Sequence, residues 1–113
     1  MKIINQTKDI LLAENAAMAS TLIKRIKGLI GKKSFDTGHA IIIKPCKWVH
    51  TFFMHFPVDI LFVNSNNKIV ALKTWLKPWR ISLFCWQASF VIELPAGQIN
   101  RSGTAREDRL IIL

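Results

Sequence analysis

Two apolar runs, Ile60-Leu61-Phe62-Val63 and Ile69-Val70-Ala71-Leu72, flank Asn64-Ser65-Asn66-Asn67, and this arrangement constrains the chain more than any other. β-branched and aromatic side chains suit the pleated surface of a sheet, and asparagine accepts the left-handed backbone that tight turns require. The pattern predicts a β-hairpin. Similar runs recur. Residues 2–6 and 10–13 flank Thr7-Lys8-Asp9 and read as a short hairpin or two short strands, and residues 40–43 form a β-branched run closed by Lys44-Pro45. Residues 48–56 are aromatic and β-rich, with Pro57 marking a bend before the buried run 58–63. Residues 90–94 and 110–113 add two strands, separated by Pro95-Ala96-Gly97 and a polar, turn-rich segment through Asp108.

One stretch has helical periodicity. After Ser20, a suitable N-cap, Leu22, Ile23, Ile26, Leu29 and Ile30 fall on one helical face while Lys24, Arg25 and Lys27 take the other, and Gly31 supplies a stop. Gly28 inside it costs about 1 kcal/mol relative to alanine and marks a close packing contact. The expected fold is mainly β, a β-sandwich or barrel-like arrangement with one clear α-helix near residues 20–30. A chain of 113 residues, half of them apolar, supports a single domain spanning 1–113 with one packed core.

Asn5, Gln6, Lys8 and Asp9 interrupt any apolar signal-peptide segment. The longest uncharged stretch, residues 81–92, is shorter than the roughly 20 apolar residues that span a bilayer. Cys46 and Cys85 sit in apolar surroundings and read as reduced, buried thiols. The expectation is a cytoplasmic protein with no membrane span. Its formal net charge of +9 is concentrated in residues 21–80, where eleven basic residues face two acids, Asp36 and Asp59, while the flanking segments are neutral. Such a surface attracts an anionic small molecule, an acidic protein or nucleic acid by a long-range force that salt weakens.

Gly31-Lys32-Lys33-Ser34 invites a phosphate-loop reading, but Ile26 stands where that motif needs glycine and the segment closes a helix rather than opening one. Lysines complementing a helix C-terminus are the better account. Cys46, His50 and Met54, with His55 nearby, are soft-ligand types at four-residue spacing, yet on an extended strand Cys46 and His50 stand roughly 13 Å apart, too far for one ion. No metal or cofactor is expected. Asp59 and Glu93 are acids inside apolar strands, where a carboxylate requires partners. They form either a pocket pair for acid–base work or for binding a cationic group, or two structural ion pairs with a nearby Arg or Lys such as those of the helix, and the ion pairs are the better account. Trp75-Leu76-Lys77-Pro78-Trp79-Arg80 interleaves aromatics with cations, as single-strand nucleic-acid platforms do, or as a loop does whose tryptophans anchor in the core.

Several blocks in order resemble the prokaryotic family called domain of unknown function 192: Ala19-Ser20 into Arg25-Ile26-Lys27-Gly28-Leu29-Ile30-Gly31-Lys32, Lys44-Pro45-Cys46, His50-Thr51-Phe52-Phe53-Met54, Phe56-Pro57-Val58-Asp59, Leu76-Lys77-Pro78-Trp79-Arg80 and Glu93-Leu94-Pro95-Ala96-Gly97. The resemblance implies a compact β-sandwich or barrel-like fold with a small helix and no established activity. It also implies that His50, Met54, Asp59, Glu93 and Gly97 occupy signature positions. Gln87 after Trp86 and Glu107 before Asp108 depart from it, both being places the family often fills with glycine.

The expected function is a non-enzymatic binding or accessory domain. Its β-sheet pocket is bordered by Arg25, His50, Met54, Asp59 and Glu93, and Lys24, Lys27, Lys32, Lys33, Lys77 and Arg80 supply a surface for an anionic ligand or partner. One alternative is a small hydrolase or lyase using Asp59 or Glu93 with His50, and another is a nucleic-acid-binding module acting through residues 21–80.

Overall fold

A computed structural model describes residues 1–19 and 34–113. The helix expected near residues 20–30 lies outside the described residues, as do Lys24, Arg25, Lys27, Lys32 and Lys33. Among the described residues, eight strands and a short helix follow in order: β1 (Ile3–Asn5), β2 (Ile10–Ala13), β3 (Asn15–Ala19), β4 (His39–Ile43), β5 (Val58–Val63), β6 (Ile69–Leu76), β7 (Phe90–Pro95), α1 (Gln98–Ser102) and β8 (Leu110–Ile112). The fold is mainly β, with two open sheets and no closed barrel among the described residues. A three-stranded sheet has the order β2-β1-β8 and a five-stranded sheet the order β3-β4-β7-β5-β6.

The most apolar runs occupy the middle of the larger sheet. Every residue of β5 and β7 is buried, as expected of strands covered on both faces. Alternation along these strands divides the apolar side chains into two groups. Leu61, Val63, Ile92 and Leu94 face the small sheet and pack with Ile3, Leu12, Leu110 and Ile99 of α1. Val58, Ile60, Phe62 and Val91 face the other way, against Val49, Met54, Cys85 and Ala88.

A buried polar knot fastens β1 to the segment before β8. The amide of Asn5 donates to Thr104 Oγ1 at 3.1 Å and to Asp108 Oδ2 at 3.0 Å, while Lys8 Nζ and the Ala105 N–H also donate to Asp108 at 2.9 Å. Burial opposes ionisation of Asp108 most strongly, but the bonds from Asn5, Lys8 and Ala105 together outweigh it and hold its pKa below the ordinary value of 3.8.

Three local expectations are corrected. Residues 48–56 do not form a strand: Phe53 has φ 65° and His50 Nδ1 accepts the Phe52 N–H at 3.2 Å, so turns and side chains take backbone groups that a ladder would use. The segment after Gly97, read as turn-rich, contains α1. Alanine-rich residues 15–19, where no strand was expected, form β3 parallel to β4, tertiary pairing overriding weak propensity.

Candidate functional site

Asp59 is fully buried in β5, and its carboxylate is occupied by backbone amides. Oδ1 accepts the Trp75 N–H at 2.9 Å, and Oδ2 accepts those of Gly97 at 3.1 Å and Ile99 at 2.9 Å. Each contact has a structural cause. Val58 pairs with Leu76 and Ile60 with Lys73, so Thr74 and Trp75 together oppose Asp59 across a β-bulge, and Trp75 there adopts φ 52°. Gly97, with φ 95°, precedes α1 and has no side chain to cap it, so a carboxylate from the neighbouring strand satisfies the first amides instead. Asp59 thus joins the bulge of β6 to the start of α1.

Glu93 is equally buried, on β7, but on the other side of the sheet. Directly opposed residues of an antiparallel pair project to the same face. Asp59 opposes Leu94 and Ile60 opposes Glu93, so the two carboxylates point to opposite faces. They are not an acid–base pair, because the odd register offset between them fixes opposite projection. Glu93 shares its face with Ile41 and Ile60, and Met54 packs in the apolar cluster on that face. The pocket expected to be bordered jointly by Met54 and Asp59 is therefore divided by the sheet itself.

The aromatic segment around His50 and the stretch 79–86 form an irregular two-sided ribbon. His50 bridges Ile81, the Ser82 N–H donates to the Val49 carbonyl at 2.9 Å and the Cys85 N–H to that of Lys47 at 2.8 Å. Its pivot is Thr51, fully buried. The Thr51 N–H donates to the Arg80 carbonyl at 2.9 Å, its hydroxyl accepts the Arg80 N–H at 3.0 Å, and the same hydroxyl donates to the Lys77 carbonyl. The block His50-Thr51-Phe52-Phe53-Met54 carried no role for Thr51, because its partners Lys77 and Arg80 lie 26 and 29 residues further along the chain.

Trp75 and Trp79 do not anchor in the core: both are more than half exposed. Each has a left-handed backbone, at φ 52° in β6 and 63° in the turn after it. Phe53 packs edge-on to Trp79 with ring centroids 4.7 Å apart, and Phe84 to Trp86 at 4.6 Å. Between the ribbon and the outer part of β6 lies a groove of about 500 Å³. Phe62, Ala71, Leu76, Ile81 and Leu83 give it an apolar wall, and Lys73, Ser82 and Gln87 its polar groups.

A two-sheet, mainly β domain with an apolar groove beside an aromatic ribbon is the class that this geometry defines. Residues 3–112 match the family DUF192, described as "Uncharacterized ACR, COG1430", and the chain belongs to that family. It is 35% identical over 100 residues to a UPF0127 protein of Pyrococcus horikoshii, covering 84% of each chain. To a UPF0127 protein of Pyrococcus furiosus it is 33% identical over 112 residues, covering 95% of this chain and 94% of that one. A solved structure of a protein of unknown function from Novosphingobium aromaticivorans superposes with a TM-score of 0.84 at 17% identity, covering 99% of this chain and 84% of that one. A Sinorhizobium meliloti protein proposed as a transcription regulator does so with a TM-score of 0.80 at 20% identity, covering 97% and 89%. At such identities these two likenesses bear on fold alone.

Proposed function

We propose that the domain is a binding module for a ligand that combines an apolar body with an anionic group, seated in the groove between β6 and residues 81–87. The observation that carries this reading is the groove's composition: a largely apolar lining with Lys73 as its charged member. Pockets of this kind take affinity from apolar burial and orientation from a few polar groups. Phe62, Leu76 and Cys85 of the groove belong to the same apolar cluster as Met54, on the face that carries Glu93, so these signature residues support the groove from beneath. Binding is favoured over acid–base chemistry because the Asp59 carboxylate already accepts three backbone N–H groups on the far face.

Titration with dodecanoate below its micelle threshold, followed by tryptophan emission and compared with dodecanol, tests the reading. The expected result is saturable binding of dodecanoate, about tenfold weaker for Lys73→Gln and for the neutral alcohol, a loss of about 1.4 kcal/mol. Ala71→Trp, which fills the groove, should abolish it. Absence of binding, or binding indifferent to both substitutions, would refute the reading.

A further inference from the structure

A second surface goes beyond the groove: the exposed apolar side chains along the ribbon. Leu83 is 88% exposed and Trp86 77%, and Phe53, Trp79 and Ile81 are each more than half exposed. Single exposed apolar residues are ordinary, but several along one ribbon of a small domain, among them the ring pairs Phe53–Trp79 and Phe84–Trp86 toward its two ends, mark an interaction surface. All four tryptophans of the chain, Trp48, Trp75, Trp79 and Trp86, are exposed. Among the described residues, none of these side chains belongs to either core cluster.

The charge around the cluster identifies what it meets. From Lys44 to Ser89 the sequence holds six cations and a single acid, Asp59, which is buried and turned to the opposite face of the sheet. Lys44, Lys73, Lys77 and Arg80 are exposed, whereas the exposed acids Asp9, Glu14, Asp36 and Glu107 belong to other segments. A second copy of the chain is a poor partner, since facing ribbons would bring like charges together. An extended peptide is also poorly served. Backbone groups of the ribbon already bond across it at Lys47 to Cys85, Val49 to Ser82 and Thr51 to Arg80, so side-chain tips are what it offers.

Apolar tips backed by cations match the boundary of an anionic bilayer, where indole rings settle at the headgroup level, aliphatic side chains enter hydrocarbon and Lys or Arg meets lipid phosphate. We infer that the ribbon docks the domain peripherally on an anionic lipid surface, with Phe53, Trp79, Leu83 and Trp86 inserted and Lys77 and Arg80 at the headgroups. Among the described residues no helix is long and apolar enough to cross a membrane, so this is docking upon the bilayer and not passage through it. The groove, walled in part by Leu83, then opens beside the lipid phase.

Flotation of the full chain with phosphatidylcholine vesicles, with and without phosphatidylglycerol, tests the inference. Binding is expected with the anionic vesicles alone, accompanied by a blue shift of tryptophan emission and quenching by brominated acyl chains. Each cation removed in Lys77→Gln and Arg80→Gln should weaken it about fivefold, and added salt should weaken it further. Trp86→Ser and Phe53→Ser, both at exposed positions, should abolish flotation without changing thermal unfolding, whereas the groove-filling Ala71→Trp should float normally. No flotation, equal flotation with both vesicle types, or ribbon variants that float like the parent would overturn the inference. Flotation lost through Ala71→Trp but not through the ribbon variants would overturn it while leaving the groove reading intact. Retention on an immobilised polyglutamate peptide without vesicle binding would replace lipid by an acidic protein.

Discussion

Replacing Asp59 should damage the fold in two places at once. Asp59→Ala removes the acceptor of three amides, those of Trp75, Gly97 and Ile99. The Ile99 amide is buried, and leaving it unsatisfied costs about 1–3 kcal/mol; the other two are partly reached by water and lose about 0.5–1.5 kcal/mol each. The expected loss is about 2–6 kcal/mol, a large share of the roughly 5–15 kcal/mol of a small domain and equivalent to a fall of about 8–24 °C in Tm. Asp59→Asn should cost less, about 2 kcal/mol: one side-chain oxygen can still receive the Gly97 and Ile99 amides, but the amide nitrogen then faces the Trp75 N–H, donor against donor. Denaturant unfolding gives the magnitudes. Native-state hydrogen exchange supplies the specific signature, faster exchange at Trp75, Gly97 and Ile99 together. A loss for Asp59→Ala below about 1 kcal/mol, with those amides still protected, would show that water substitutes for the carboxylate and that the coupling of bulge to helix is unreal.

Two further predictions concern the other polar anchors. Because the folded-state pKa of Asp108 lies below the ordinary 3.8, its contribution is fully present above that value and is lost as pH falls through the folded pKa. Acid unfolding followed by circular dichroism should thus show a smaller decline for Asp108→Asn than for the parent over that range, from a lower starting stability. Thr51→Val removes the hydroxyl that joins the Lys77 carbonyl to the Arg80 N–H, and should destabilise by about 1–3 kcal/mol with faster exchange at Arg80. Unchanged exchange there would remove Thr51 as the pivot of the ribbon.

Much of the sheet was legible because its strands are long apolar runs with punctuation. The hairpin through Asn64-Ser65-Asn66-Asn67 joins β5 to β6 in antiparallel register, and β4, β7 and β8 lie at the expected positions within a residue or two. Residues 48–56 misled because aromatic composition alone resembles a strand, while their backbone bonds go to side chains and turns whose partners lie some 30 residues away in sequence, at Lys77 and Arg80. The same nonlocality hid α1, whose cap is supplied by Asp59 from another strand. Of the site residues, burial of Asp59 and Glu93 followed from their apolar neighbours, but the faces they take depend on interstrand register, which one strand read by itself does not contain. The groove combines β6 with residues 81–87, two segments with no shared pattern.

The period-two division of β5 has an evolutionary consequence. Val58, Ile60 and Phe62 back the side that carries the groove, whereas Asp59, Leu61 and Val63 hold the larger sheet to α1 and the smaller sheet. Neighbouring codons therefore answer to different selective pressures. A lineage could rewrite what the groove accepts by altering alternate positions of a single strand, leaving the intervening letters to preserve the architecture.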